Sequence, residues 1–489
     1  RKAAFPRVIP MFAIRSSVLL SSLALGLGIA LPSTADLVEA ELLAREGGPA
    51  PGGDGTTISA LNAPFANGLG QVGFTGTLAS GDRFVWLGDE IVWLNSDALP
   101  GSVLTGSEST MGISNLGGWI YSCNDDGEDS VWTQEGLLLR ETEPIPGETL
   151  VWSSFNSRPR MTCDGEAFWV TGLAASSGGG TYGRGFMQCL DPADPASSQL
   201  LIGTGDPVED GDVFFEIGSI GFAYDVSGST EHIALIPRVA GAPPATDDFI
   251  WLDGVPRERQ GDPTSPGSGL SWDQFRGVGV NDEGRLIFFG PAEPDDPKIP
   301  DIEYLALDGE IIVREGDSIG GVELSDGFGI RWAEIDDADR IVHVWEASGF
   351  PPTAGATFLT SETEEGFEHV AIVEIGDELD FDGDGIADGV VVDFEVSSVV
   401  GPAIGLPDQP WVFLPVEVEA AKGETYSAIV RFPLPGTDSP ADLNGDGQVN
   451  GADLSILLAA WGGGGIADLN GDGVVDGADL AILLADWSN

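Results

Sequence analysis

The sequence predicts a mostly β fold, a β-propeller of about seven blades, followed by a small α calcium-binding module with two EF-hand-like loops. Two observations carry this reading. Residues 37–435 consist of short β-branched and aromatic runs between Gly, Pro, Asn and Asp clusters, without helical periodicity, and two phrases recur along them. Residues 441–489 change character and hold two twelve-residue acidic loops, each followed by a short apolar stripe of helical spacing.

Composition limits the partners. The chain has 489 residues with 21 Lys+Arg against 79 Asp+Glu, a formal charge of −58. A polyanion is bound by Lys and Arg that displace its counterions, and the only lysines are Lys2, Lys298 and Lys422, with no basic cluster around them. Nucleic acid is therefore excluded as a partner, and an anionic membrane surface is disfavoured. With 70 Gly, 32 Pro and 42% hydrophobic residues the chain reads as folded and turn-rich.

At the N-terminus a basic stretch ending at Arg15 precedes the apolar run Val18 to Leu31 and then Pro32-Ser33-Thr34-Ala35. This pattern predicts a secretory signal over residues 1–35, cleaved after Ala35, with Met11 as an alternative start. The run is short of the roughly 20 residues of a membrane span. A secreted protein, extracellular or at the cell surface, with no membrane insertion after cleavage, is expected.

The first phrase is an apolar strand, a charged or polar step, then a Pro/Gly turn. It begins at Leu42-Leu43-Ala44-Arg45, Ile91-Val92-Trp93-Leu94 and Leu137-Leu138-Leu139-Arg140, with weaker copies at Leu200, Arg259, Ile311 and Val370. The second phrase is a turn and then an alternating strand, starting at Asn67, Cys163, Asn281 and Asp336. A repeat about every fifty residues implies stacked or radial β units, because one four-stranded sheet cannot bury both faces alone. The copy at 42–52 has no unit before it, and the last strands, Trp411 to Val418 and Tyr426 to Phe432, lack a closing copy. An N-terminal strand that supplies the outer edge of the last blade completes both, which gives seven blades. Six or eight blades, or a pair of β-sandwich domains, are the structural alternatives.

Of the cysteines Cys123, Cys163 and Cys189, the second and third fall on runs read as neighbouring strands of one repeat. A Cys163–Cys189 disulfide with Cys123 left over is the preferred pairing.

After a Pro-rich linker at 436–440 come the two loops, at 442–453 and 468–479. Oxygen-bearing side chains stand at positions 1, 3, 5, 9 and 12: Asp442, Asn444, Asp446, Asn450 and Asp453, then Asp468, Asn470, Asp472, Asp476 and Asp479. Gln448 and Val474 at position 7 offer backbone carbonyls, and Gly at position 6 permits the sharp turn. Hard oxygen donors without His or Cys favour Ca2+ over a transition metal, so two ions are expected. Helices are expected over 454–461 and 480–487, with Leu454, Leu457, Leu458 and Trp461 and their counterparts 26 residues on packing the two together. This segment holds eight Asp and no Lys or Arg, so without calcium its carboxylates repel and folding should be coupled to binding.

Tandem calcium loops, each followed by one helix, at the end of a secreted chain resemble the type I dockerin family. The resemblance implies attachment: dockerins bind cohesin modules on scaffold or surface proteins, most often carrying polysaccharide-degrading enzymes or their accessory modules. Typical members have Ser or Thr at loop positions 10 and 11 and basic residues in the helices. Here the positions are Gly451-Ala452 and Gly477-Ala478, with no basic residue, which points toward a cohesin-like module or a different surface receptor.

A third acidic loop lies within the repeats. Asp380, Asp382, Asp384 and Asp388 occupy positions 1, 3, 5 and 9, with Ile386 at position 7 and Val391 at position 12. It resembles the shorter calcium loops of thrombospondin-type repeats, and a third ion is expected here.

No catalytic residue is assigned. His232, His343 and His369 each sit in an apolar run and read as satisfied strand histidines, and nucleophile elbows, zinc-binding His pairs and phosphate loops are absent from the sequence. Thirteen Trp could stack on sugars or pack between blades, the second being expected of most. The leading expectation is a non-catalytic propeller anchored by its calcium module in a surface or polysaccharide-processing assembly, with polysaccharide a further ligand. The alternative is a propeller carbohydrate-active enzyme, a hydrolase or lyase, which a group of acids with Trp at one central mouth would favour.

Overall fold

The computed structural model describes residues 37–487 apart from 51–55, 68, 98–103, 106–110, 126, 155–158, 176–180, 209–213, 217–223, 230–231, 326, 350–351, 364–365, 397–402, 405–410, 435–440, 442, 444–448, 450, 466, 468, 471–472 and 486. The signal segment and the linker at 436–440 lie outside the described residues.

Seven antiparallel blades follow one another, at 58–94, 104–140, 150–203, 214–259, 270–314, 328–374 and 389–433. The fold class is the one the repeats predict, and the sandwich alternative is set aside. All seven copies of the first phrase begin on outermost strands. The second phrase heads the hairpin from the innermost strand to the next. Blade 4 departs most from the pattern, because its second strand breaks around Pro237 into Ile233–Leu235 and Arg238–Val239. Proline lacks the N–H that a ladder needs.

Alternation along the strands accounts for the packing. In Ile341–Ala347, Val342 and Val344 face the core shared with blade 7, whereas Ile341 and Trp345 face the core shared with blade 5. Period-two side-chain placement thus makes every blade two-faced. One apolar cluster fills each of the seven interfaces between successive blades, including that between blades 7 and 1, where Phe413 and Ile429 meet Phe74 and Trp86. Fully burying such side chains stabilises by about 1.5–3 kcal/mol each relative to exposure, before chain entropy is counted.

The ring closes through the N-terminus. Glu41–Arg45 pairs antiparallel with Thr425–Pro433 as the outer edge of blade 7, and Leu37–Glu39 runs parallel to Glu378–Asp380. Arg431 pairs with Glu41 across this seam and lies over the ring of Trp411, 4.5 Å from its centroid.

At one mouth of the ring the inner hairpins are stitched to one another. Asn67 Nδ2 donates to Ser114 O, Asn115 N to Cys163 O, and Cys163 N to Gly228 O, at 2.8–3.0 Å. Ser229 N then donates to Asp282 Oδ1 at 2.7 Å, and Asn281 Nδ2 to Asp336 O at 3.0 Å. Among the described residues, six of these hairpins are headed by a short polar side chain that accepts an amide from its own turn: Asn67, Ser114, Thr162, Ser227, Asn281 and Asp336.

The cysteine pairing requires correction, since no disulfide joins Cys163 to Cys189. Cys189 is buried and directs its Sγ toward Asp191 O and Ser197 Oγ, whereas Cys163 lies in the stitched turn against Gly228 of the next blade. Cys163 lies in the turn between Arg160–Met161 and Ala167–Ala175, not on a strand beside Cys189.

The C-terminal helices are α1 (Gly451–Ala459) and α2 (Gly477–Ala485). Both start earlier than their apolar stripes suggest, at loop position 10, and both end sooner. Leu457 and Leu483 are fully buried, with Val449 and Val475, in a core of their own. The expected packing of the whole stripe is only partly found: Leu458, Leu484 and Trp461 are about half exposed, at 52%, 53% and 48%. No helix among the described residues is long and apolar enough to cross a membrane.

Candidate functional site

In the C-terminal module the described loop residues are Asp453, Asn470, Val474, Asp476 and Asp479. Asp442, Asn444, Asp446, Gln448, Asn450, Asp468 and Asp472 lie outside the described residues. Asp453 and Asp479 hold equivalent positions in the first turns of α1 and α2, and both are buried. Leu443 N–H donates to Asp453 Oδ1 at 2.8 Å; Asp476 and Asn470 N–H donate to Asp479 at 2.7 and 3.1 Å. The amides of Asp476, Asn470 and Leu469 hold the Asp479 carboxyl below the usual carboxylate range. A buried carboxylate closing each loop, with hard oxygen donors in the sequence before it, fits a calcium ion. The side chain of Val474 is 47% exposed, as expected where the backbone carbonyl is the donor.

The acidic loop at 380–388 is the hairpin between Glu378–Asp380 and Gly389–Phe394, the inner strand of blade 7, with which Glu378–Asp380 pairs antiparallel. Asp380 is covered by its own loop, taking Gly383 and Gly385 N–H at 2.8 Å each, and these amides, that of Gly385 foremost, lower its pKa. Asp382 accepts from Asp384 N and Asp384 from Ile386 N, while Asp388 accepts from Phe381 N. One carboxylate oxygen each of Asp380, Asp382 and Asp384 lie within 4.8 Å of one another, a spacing open to an ion that binds oxygens at about 2.3–2.6 Å. Gly385 sits at φ +82, the left-handed turn required at position 6. Val391 is buried in the blade core, so position 12 contributes packing and no ligand.

At the stitched mouth a small polar cavity contains Arg160, paired with Asp225 at 3.1 Å. Burial works against the guanidinium charge, and Asp225 and Glu334 outweigh it. A larger cavity of about 730 Å³ lies among blades 5, 6 and 7, where Arg276, Arg331, Glu346, Asp393, Glu395 and Glu417 surround Phe289, Ile330 and Phe394. Both arginines are committed. Arg276 Nη1 contacts both Glu303 oxygens at 2.8 and 2.9 Å, and Arg331 Nε donates to Glu346 Oε2 at 3.0 Å. Burial, then the charge of Asp393, push the Glu346 carboxyl up to about 7 against the pull of Arg331. Burial and Glu417 raise Asp393, and burial raises Glu395 although Ser427 donates to it at 2.7 Å. Sequence reasoning missed this group, whose members come from three blades and look like any of the 79 acids.

The tryptophans lie elsewhere. Trp132, Trp152, Trp169, Trp272 and Trp345 are at most 1% exposed and belong to interblade cores. His343 and His369 are held in strand hydrogen bonds, and His232 Nδ1 meets Asp253 Oδ2 at 2.7 Å.

Residues 440–485 match the type I dockerin domain family. The C-terminal module is thus a type I dockerin domain, a family that binds cohesin modules and calcium. No curated protein matches the chain at a significant level. Among solved structures, a puromycin hydrolase mutant complexed with PGG has a TM-score of 0.40 at 12% identity, over 76% of this chain and 53% of that one. A protein of unknown function from Dyadobacter fermentans has a TM-score of 0.33 at 8% identity, over 78% and 100%. One from Bacteroides caccae has a TM-score of 0.27 at 11% identity, over 56% and 82%.

Proposed function

We propose that this protein is an extracellular component whose dockerin module, folded around calcium, fastens the seven-bladed propeller to a cohesin-like module or other surface partner in a cell-surface or polysaccharide-processing assembly. The observation that carries this reading is the pair of equivalent, buried carboxylates, Asp453 and Asp479, each closing an acidic loop at the start of a helix in the segment that matches the family. Bound calcium supplies charge neutralisation. Asp442, Asn444, Asp446, Asn450 and Asp453 would hold one ion with the Gln448 carbonyl, and Asp468, Asn470, Asp472, Asp476 and Asp479 the second with the Val474 carbonyl. Asp380, Asp382, Asp384 and Asp388, with the Ile386 carbonyl, would hold a third that stiffens the entry to blade 7. Signal cleavage after Ala35 and the domain limits 37–435 and 441–489 belong to the same reading.

The partner face is apolar. Leu458 and Leu484 stand 26 residues apart at equivalent helix positions and are about half exposed, with Trp461 beside the first repeat's helix end. Such side chains fit a partner that contributes hydrophobic surface in place of the acid groups that basic helices would meet. The test is capture of the full chain by an immobilised type I cohesin, with calcium and with chelator. Calcium-dependent capture that Leu458→Asp and Leu484→Asp together abolish supports the proposal. Capture indifferent to chelator, or failure with a panel of cohesins and with surface proteins of the source cell, overturns it. The carbohydrate-enzyme reading receives the acids it needs at the cavity among blades 5, 6 and 7 but no Trp among the lining residues, so it stands second.

A further inference from the structure

The strand that closes the ring is short, and its end meets a row of like charges. Glu41–Arg45 is matched to Thr425–Pro433 along four residue pairs, whereas Thr425–Pro433 is matched to Trp411–Ala420 along nine. One residue past Arg45, Glu46 N donates to Ser427 O at 2.9 Å. Ser427 is the register partner of Glu417, and Glu417 is that of Asp393. Register partners share a face of the sheet, so Glu46, Ser427, Glu417 and Asp393 form one row from the end of the N-terminal strand to the inner strand of blade 7. Glu395 reaches the same row and accepts from Ser427 Oγ at 2.7 Å. None of these four carboxyls has an ion-pair partner within 4.0 Å among the described residues, because Arg276 is taken by Glu303, Arg331 by Glu346 and Arg431 by Glu41.

The surroundings leave the row to its own repulsion. From blade 6, Arg331 and Glu346 act on Asp393, and they are paired to each other at 3.0 Å. Arg45 and Tyr426, one residue away along each strand, take the opposite face, where the guanidinium lies 4.9 Å from the ring centroid. Burial raises the pKa of Glu46, and Glu417 adds to it; burial raises Glu395 and Asp393 as well, reinforced by Glu417 and, for Glu395, by Glu46 and Asp393. A carboxyl raised in the fold keeps a proton that the open chain releases. Its stabilising contribution is full below the ordinary carboxylate pKa and is lost as pH rises through the raised one. Detaching the N-terminal strand carries Glu46 into water and away from Glu417 and Glu395, so the opening of this strand obeys the same balance.

We propose that the row makes ring closure acid-tightened: the N-terminal strand grips blade 7 most firmly while Glu46, Glu395, Glu417 and Asp393 share protons, and it loosens as rising pH leaves them charged together. Like charges directly opposite one another destabilise a sheet, and here they meet at the strand that completes the ring. Loosening bares the outer edge of Thr425–Pro433, whose N–H and C=O groups are then open to pair with another strand. The inference is independent of the dockerin anchor and of the calcium loops.

Hydrogen exchange of the full chain at saturating calcium, read by mass spectrometry between pH 5.5 and 8 and corrected for the intrinsic exchange rate, tests it. One pKa unit on one group is tenfold in an equilibrium, so the opening constant of the peptide 37–48 should be roughly tenfold larger at pH 8 than at pH 5.5. The interior strand Ala167–Ala175 of blade 3 serves as reference and should change by less than about threefold. Glu46→Gln and Glu417→Gln should each bring the ratio for 37–48 down to that of the reference. Each variant removes one of several opposed charges, so its melting temperature at pH 8 should hold or rise, which separates a neutralised row from a damaged fold. Opening of 37–48 that does not vary with pH, a change of equal size in the reference strand, or a ratio unaltered in both variants overturns the proposal.

Discussion

Trp345 Nε1 donates to Nδ1 of His343 at 2.9 Å, and this one bond sets the protonation of an entire buried chain. With Nδ1 accepting, the ring proton sits on Nε2 and is given to Thr360 Oγ1 at 2.7 Å; the Thr360 hydroxyl then donates to His369 Nδ1 at 2.8 Å. Burial, reinforced by His369, lowers the His343 pKa to about 3.

A histidine held neutral in the fold and free to charge when unfolded makes the unfolded state the better proton acceptor between about pH 6.5 and 3. Stability from His343 is present above pH 6.5 and is lost progressively as pH falls toward 3. His343→Gln should melt lower than the parent at pH 7, and the gap should narrow toward pH 4. Thermal melts of both proteins across that range measure this; a constant gap counts against it.

Glu346 has the opposite sign. Its raised pKa means that the fold retains a proton between about pH 4.5 and 7 that the unfolded chain has released, so its contribution declines as pH rises through that window. Glu346→Gln keeps the shape without the titration. The difference in melting temperature between variant and parent should grow from pH 4.5 to pH 7 and then level off.

Gly385→Ala places a side chain at φ +82 in the 380–388 loop. The expected cost is roughly 1 kcal/mol without calcium, with loss of the third ion's contribution when calcium is added. The readout is the calcium-induced rise in melting temperature of the propeller transition, which should shrink in the variant.

Asp453→Ala and Asp479→Ala each remove a carboxylate that closes one C-terminal loop. Each should eliminate one calcium-binding event, and the double variant should lose cohesin capture while keeping the far-ultraviolet β signature of the propeller. An unchanged calcium stoichiometry in both single variants would refute the assignment of position 12.

Turn chemistry made the ring legible in the sequence. Every outermost strand ends in a Pro, Gly or acidic step, so seven copies could be aligned although four were weaker. The inner hairpins were recognised where Asn or Asp stands at or beside the head of the turn, as at Asn67, Asn281 and Asp336, and by neighbouring residues at Cys163. Those headed by Ser114 and Ser227 were missed, because a serine hydroxyl caps the same amides with a far less distinctive residue. The carboxylates of the cavity among blades 5, 6 and 7 were out of reach for another reason. Asp393 and Glu417 oppose each other only once register is known, and Glu346 joins them only because blade 6 is the neighbour. The direction of a sulfur, which decides the cysteine pairing, is likewise absent from spacing.

The seam that closes the ring also governs how the protein bears a mechanical pull. The chain leaves the propeller from Thr425–Pro433, which is matched along nine residue pairs to Trp411–Ala420 on one side and to the N-terminal strand on the other. Tension applied through the C-terminal module therefore enters at a strand gripped on both flanks. Hauled along its own axis, that strand strains many ladder bonds at once and does not peel them singly, so a tethered propeller in flowing liquid should give way at its tether before its ring.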